Sequence, residues 1–220
     1  LETGRHDSRI RTAGDMAISK NVLGTNPANK EVIYSISASY DNVVAIDADG
    51  GCVEVIDQNQ LEKRAHGRFD RLYTKALDIR SISGSDYLLV NGIDSLCTNE
   101  KRVGRKKKKK WACLAHDEQE FLFSRNLTTG VEGRCDLNSV NSTFRNNLKR
   151  TTSISMDDGN NLFYVINGDI YSHPIERNSD GIYCPTNNAT NKHYPRSTGG
   201  YFNVAKMQVD PQDTTIIYAT

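Results

Sequence analysis

The most distinctive stretch of the chain is a basic run, "KRVGRKKKKK", that lies between Cys97 and Cys113. Five adjacent lysines cannot be packed into a core, so the run must be solvated whatever the fold. A disulfide between the two cysteines would close a loop of 15 intervening residues. Such a bridge stabilises by on the order of 3 kcal/mol and would present the lysines as a constrained finger. The cationic residues of the run are Lys101, Arg102, Arg105, Lys106, Lys107, Lys108, Lys109 and Lys110.

Three interpretations of the basic run compete. Its eight charges stand against a formal net charge of only +1 for the whole chain, so the charge imbalance is local. Binding of a polyanion, such as a sulfated polysaccharide or phospholipid headgroups, would use the lysines as point charges and depend strongly on salt. The run could instead be a surface loop without a partner. Finally, "RVGR" from Arg102 to Arg105 matches the minimal site of furin-type proteases, and the lysines resemble a nuclear localisation signal.

Nucleic acid is not an expected partner of this run. Only Trp111 and Phe121 lie near it in the sequence, and no interleaved pattern of aromatic and basic residues accompanies them.

Signals for catalysis or a cofactor are weak. No serine-hydrolase elbow, zinc-protease helix or phosphate-binding loop occurs. The acidic stretches at Asp47 and Asp157 lack the spacing of a calcium loop, and turn chemistry explains them. We therefore expect a protein that is not an enzyme and that holds no metal or cofactor. The histidines are scattered through polar segments: His6, His66, His116, His173 and His193.

Sequons and cysteines favour an extracellular location. Asn126, Asn141 and Asn188 each begin an Asn-x-Ser/Thr triplet in a polar, turn-like stretch. Cys135 and Cys184 are a second candidate disulfide, which leaves Cys52 either as a buried free thiol or as half of an intermolecular disulfide. No apolar run of about 18 residues is present, so insertion into a membrane is not expected. A secreted protein or a cell-surface ectodomain is the prediction.

The elements that would position these residues recur along the chain. The triplet Ser-Ile-Ser begins at residues 35, 81 and 153, and each copy is followed by an acidic turn and an apolar run. Weaker copies begin at Cys113 and Met207. A strand flanked by turn residues is the natural interpretation of each unit. The apolar anchors of the five units are Ile36, Ile82, Leu114, Ile154 and Val209.

Two further signals indicate small sheets. The dipeptides Asp49-Gly50, Asn91-Gly92 and Asn167-Gly168 tolerate the positive φ that a two-residue hairpin turn requires. Runs such as "VVAI", "YLLV" and "LFYVI" are apolar at every position, which predicts strands covered on both faces. Repeats of about 40 residues built this way resemble the blades of a β-propeller. The resemblance implies a propeller or partial propeller of about five small antiparallel sheets; a β-sandwich or β-trefoil with long loops is the alternative.

The predicted organisation is simple. Residues 1–31 form an N-terminal extension whose first four residues resemble what a secretion vector leaves behind, and residues 32–220 form a single all-β repeat domain. Asn59 to Leu77 is predicted to be a connecting segment with a helical turn, because Gly67 interrupts its helical pattern.

The functional hypothesis is a binding module. Loops on a rigid all-β scaffold would contact a protein receptor or ligand, or a polyanionic glycan. The polar insertions 134–150 and 176–200 would join the basic run as contact surfaces. The alternative is a propeller-type hydrolase with a metal in its central channel.

Overall fold

The computed structural model describes residues 12–19, 32–37, 42–47, 52–56, 70–104, 110–158, 160–193, 204–210, 212–213 and 215–220. In these residues the chain is all-β with one short helix, and the strands form four small antiparallel sheets. The prediction of small antiparallel sheets is confirmed.

The first sheet contains four strands in chain order. They are β1 (Thr12–Ser19), β2 (Val32–Ser37), β3 (Val43–Asp47) and β4 (Cys52–Ile56). β1 comes from the segment predicted as an extension and pairs with β2 through Thr12–Ser19, so the all-β domain begins before residue 32.

The second sheet has the same order but longer strands. They are β5 (Arg71–Ile82), β6 (Ser85–Val103), β7 (Lys110–Asn126) and β8 (Glu132–Arg134). β5 includes residues 71–77 of the predicted connecting segment, so that prediction is wrong there. From Leu72 to Ala76 buried side chains alternate with more exposed ones, which is the period of a strand.

The third sheet repeats the arrangement after a short helix. The helix α1 (Ser142–Leu148) buries Phe144 and Leu148 in the core, so the insertion 134–150 is not simply a contact loop. The third sheet runs β12-β11-β10-β9, and β13 also pairs with β11. Its strands are β9 (Ser153–Met156), β10 (Asn161–Ile166), β11 (Asp169–Arg177), β12 (Tyr183–Pro185) and β13 (Asn191–Lys192).

The fourth sheet is a two-stranded pair. β14 (Met207–Val209) and β15 (Ile217–Ala219) are antiparallel, and Val209 faces Ile217 in the register.

Each sheet packs face to face on the next. In β6, Leu88 and Val90 face the first sheet, whereas Tyr87 and Leu89 face the third, as the two-residue period of a strand requires. Phe163 and Val165 of the third sheet pack in turn against β14. The runs "YLLV" and "LFYVI" are therefore covered on both faces, as predicted; in "VVAI", Val43 and Ala45 pack against the second sheet.

The first strands of successive sheets are neighbours. β1 contacts β5, β5 contacts β9, and β9 contacts β14. The serines of the third Ser-Ile-Ser triplet bridge one of these boundaries. Ser153 Oγ accepts from Met207 N at 3.2 Å, and Ser155 Oγ accepts from Val209 N at 3.0 Å. Side chains thus replace the main-chain ladder between β9 and β14.

The repeat is less regular than the sequence suggested. Ile82, Ile154 and Val209 lie in first strands, but Ile36 lies in a second strand. Leu114 is exposed in the middle of β7, so the unit predicted to begin at Cys113 is wrong: that segment is the return strand of the β6–β7 hairpin.

Of the three predicted turns, one is confirmed, one is wrong and one lies outside the described residues. Asn167 and Gly168 have positive φ and join β10 to β11 as a two-residue turn, as predicted. Asn91-Gly92 is not a turn. It lies inside β6, where Asn91 is buried and donates to the carbonyl of Leu148. Ser83-Gly84 makes the equivalent turn between β5 and β6, and Asp49-Gly50 lies outside the described residues.

Candidate binding surface

The basic run is carried by a hairpin arm that projects from the second sheet. We define the arm as residues 98–104 of β6 and its following bend together with residues 110–118 of β7. Nearly all of these residues are exposed, in contrast to the buried segments Asp86–Ser95 and Phe121–Ser124 of the same two strands. The strands extend beyond the body because their polar residues pair with each other and need no cover from another sheet.

A disulfide braces the base of the arm. Cys97 and Cys113 are joined, with a Cα–Cα distance of 5.8 Å. Beside it, Cys97 N–H donates to Asp70 Oδ1 at 2.5 Å, and Ser95 Oγ lies 3.2 Å from His116 Nδ1. These contacts fix the direction in which the arm leaves the body.

The register places different side chains on the two faces of the arm. Arg102 is opposite Trp111, and the next pairs on either side are Lys101 with Ala112 and Val103 with Lys110. Since antiparallel partners share a face and successive residues alternate, Arg102 and Trp111 lie together on one face. Lys101, Val103 and Lys110 lie on the other.

The charge of the arm is graded along its length. Lys101, Arg102 and Lys110 are exposed near its tip, whereas Asp117 and Glu118 are exposed near the body. Arg105, Lys106, Lys107, Lys108 and Lys109 lie outside the described residues, and in the sequence they join the two strands of the arm. The described cationic side chains of the arm therefore lie toward the ends of its two strands, away from Asp117 and Glu118 near the body.

The second disulfide joins two sheets. Cys135 follows β8 and Cys184 lies in β12, with a Cα–Cα distance of 5.4 Å. Both bridges are the pairs that the sequence suggested. Cys52 lies in β4, and its side chain lies outside the described residues. Two disulfides are typical of proteins that fold in an oxidising, extracellular environment.

The three sequons differ in accessibility. Asn126 is 1% exposed, and its Oδ1 accepts from the amides of Thr128 and Thr129. Asn141 caps the helix by accepting from Thr143 N at 2.8 Å, and Asn188 is exposed. Attachment of a glycan requires an accessible amide nitrogen, which favours Asn141 and Asn188 over Asn126.

A polar cleft of about 530 Å³ lies between the base of the arm and α1. Arg134 lies in it, 4.6 Å above the ring of Phe121 and 3.5 Å from the buried carboxylate of Asp94. Lys149 is 3.7 Å from Glu120. Charges of both signs line this cleft, so its field does not favour an anion over a cation.

A buried polar seam connects the first strands of three sheets. Asp78 of β5 accepts from Met156 N at 2.7 Å and from Ser155 Oγ at 3.3 Å. Arg80 of β5 donates to the carbonyls of Val209 at 3.3 Å and Asp210 at 2.9 Å. Burial raises the pKa of Asp78 to about 7, although these amide and hydroxyl donors and Arg80 act in the opposite direction. The seam is a structural connection between sheets.

The described part of the chain holds no group of three or more histidine, cysteine, aspartate or glutamate side chains that could bind a metal ion. Within the same part, no helix has the length and hydrophobicity to cross a bilayer.

Comparisons with known proteins found no relatives. No protein-family model matches the chain, and no curated protein or solved structure is significantly similar to it.

Sequence reasoning missed two features of these sites. Trp111 was noted only as an isolated aromatic residue. Its position opposite Arg102 depends on the register of the hairpin, and that register includes two irregularities. Asp78, Arg80 and Ser155 are 77 residues apart at most in sequence, and no local pattern marks them as one seam.

Proposed function

We propose that the protein is an extracellular, non-enzymatic binding module that uses its hairpin arm to bind a polyanionic glycan. One observation carries the proposal: a disulfide-braced hairpin exposes Lys101, Arg102 and Lys110 at the ends of its two described strands, and five further cations lie between those strands in the sequence. Counterion release from a polyanion supplies the free energy of binding, and the acidic residues near the body confine the contact to the tip.

The extracellular location is supported by the two disulfides and by the accessible sequons at Asn141 and Asn188. Secretion through an oxidising compartment would account for both. A non-reducing peptide map of protein secreted from eukaryotic cells should show both bridges, with glycan at Asn188 and Asn141 and little at Asn126. A map in which all three asparagines are bare would remove this support.

The sheets are proposed to be blades of a β-propeller. Three successive four-stranded meanders, each packed on the next through apolar faces, support the proposal, as does the contact between their first strands. In such a ring the arm would be an extension of two neighbouring strands of the second blade.

Heparin chromatography with a salt gradient tests the function. Two variants are compared with the wild type. The first variant replaces Lys101, Arg102 and Lys110 by glutamine. The second, the lysine variant, replaces Lys106, Lys107, Lys108 and Lys109 by glutamine. Each should elute at clearly lower salt, because the number of released counterions falls with the number of contacting cations.

The matched control removes three exposed cations from the body by replacing Arg150, Lys192 and Lys206 with glutamine. It changes net charge as much as the first variant, so it should elute with the wild type if the arm is the contact. Equal shifts for the arm and body variants would mean that binding is unspecific, and the proposal would be abandoned.

A further inference from the structure

Arg102 and Trp111 form an exposed pair on one face of the arm. The indole is 48% exposed, and the guanidinium carbon lies 5.9 Å from its ring centroid. The two residues are cross-strand partners, and Cys113 of the disulfide lies two residues after Trp111 on the same face. About half of a large apolar ring is thus kept in water beside a cation.

The pair matches the chemistry of a charged sugar. A pyranose presents a flat face of C–H groups, on which an indole can stack, and it carries sulfate or carboxylate groups at its edge. A planar guanidinium binds such an oxyanion through two parallel hydrogen bonds. Because the hairpin and its disulfide hold the two backbone positions opposite each other, only the side chains of the pair must be ordered on binding.

We propose that Trp111 and Arg102 form a sugar-reading subsite that makes the arm selective for sulfated polysaccharide among polyanions. This inference rests on the proposed function, since the lysines would supply most of the affinity. The pair adds a contact with the sugar ring. A polyphosphate chain carries charge but has no sugar ring, so it cannot make this contact.

The distribution of apolar side chains favours a glycan over an anionic membrane. Val103 is exposed but pairs with Lys110 on the face opposite Trp111, and Leu114, which is also exposed, lies at a register irregularity of the hairpin. Neither face therefore offers a continuous apolar surface to insert between headgroups. A polysaccharide needs only the one stacking residue that the arm provides.

Intrinsic fluorescence tests the subsite directly, because Trp111 is the only tryptophan of the chain. Titration with a heparin oligosaccharide should change the emission of Trp111, whereas inorganic polyphosphate should bind with little spectral change. A larger blue shift with vesicles of anionic phospholipid than with heparin would overturn the proposal in favour of a membrane.

Variants separate this inference from the proposed function. Trp111→Ala should weaken heparin binding by on the order of fivefold to tenfold and leave polyphosphate binding unchanged. Arg102→Lys keeps the charge, so a loss of about threefold would report the bidentate contact. Glu100 lies two residues before Arg102 on the same face of the arm. Glu100→Gln removes this negative charge and should strengthen heparin binding.

The outcomes are distinct. If Trp111→Ala binds heparin as the wild type does while the lysine variant loses retention, the subsite is wrong and the proposed function stands. If the lysine variant is also retained normally, both fail.

Discussion

Gly92 shows how one position controls the packing of the second sheet. It lies in β6 opposite Thr74, beside a register shift in β5. A Cβ at this position would meet the carbonyl oxygen of Tyr73 at 2.2 Å and Cζ of Phe121 at 2.5 Å. The glycine is required for close approach of another strand and an aromatic ring, not for a turn.

Gly92→Ala should lower the free energy of unfolding by about 3 kcal/mol, because backbone and a buried ring must both move. Urea denaturation followed by far-UV circular dichroism measures it. Gly133→Ala is the control, since its Cβ would meet only Ile182 Cδ1 at 3.3 Å. Equal stability of the two variants would contradict the packing described for β6.

Asp78 should make stability depend on pH. Its pKa is about 7 in the folded protein because of burial, against about 3.8 when unfolded, so the folded state binds more protons between these values. The free energy of unfolding should therefore fall as pH rises from 4 to 7, by at most on the order of 4 kcal/mol, and level off above.

The comparison with Asp78→Asn isolates this effect, because asparagine keeps an oxygen acceptor for Met156 N and cannot ionise. His173 acts in the opposite sense: burial lowers its pKa, so its contribution to stability is lost as pH falls below about 6.5. Melting temperatures of both proteins from pH 4 to 8 should differ most above pH 7. Parallel curves would show that burial does not raise the pKa of Asp78.

At the scale of elements, the boundary between β9 and β14 depends on side chains. Ser155 accepts from Val209 N and donates to Asp78, so its loss leaves a buried amide without its acceptor. Ser155→Ala should lower the free energy of unfolding by about 2 kcal/mol, and Ser153→Ala by a similar amount.

Ser81→Ala is the control for these serines. Ser81 begins the second triplet but is exposed, and its hydroxyl bonds to Asp86 within its own hairpin. Its replacement should change stability by about 0.5 kcal/mol or less. If all three variants lose the same amount, the serines contribute through local conformation and not through the seam.

At the scale of the whole molecule, the two disulfides should have different effects. Cys135–Cys184 links the second and third sheets across a sequence separation of 49. Replacing both cysteines by alanine should lower the free energy of unfolding of the whole chain by about 4 kcal/mol.

Replacing Cys97 and Cys113 should instead act locally, since that bridge lies within one hairpin. We expect faster hydrogen exchange in residues 98–104 and 110–118, weaker heparin retention, and a loss of at most about 3 kcal/mol in the free energy of unfolding, less than for the other bridge because the closed loop is shorter. A collapse of the melting temperature would show that the arm is part of the folding core.

The sequence by itself determined the local chemistry of this protein. The fully apolar runs, the turn at Asn167-Gly168, the Cys97–Cys113 pair and the solvation that five adjacent lysines require depend on residue type and short spacing, which physical rules interpret directly. Tertiary structure decided the rest. Ile36 and Ile82 occupy different strands of their sheets, Gly92 is a packing position and not a turn, and Trp111 meets Arg102. Each of these outcomes depends on strand register and on which sheet faces which, and both follow from contacts between residues far apart in the chain.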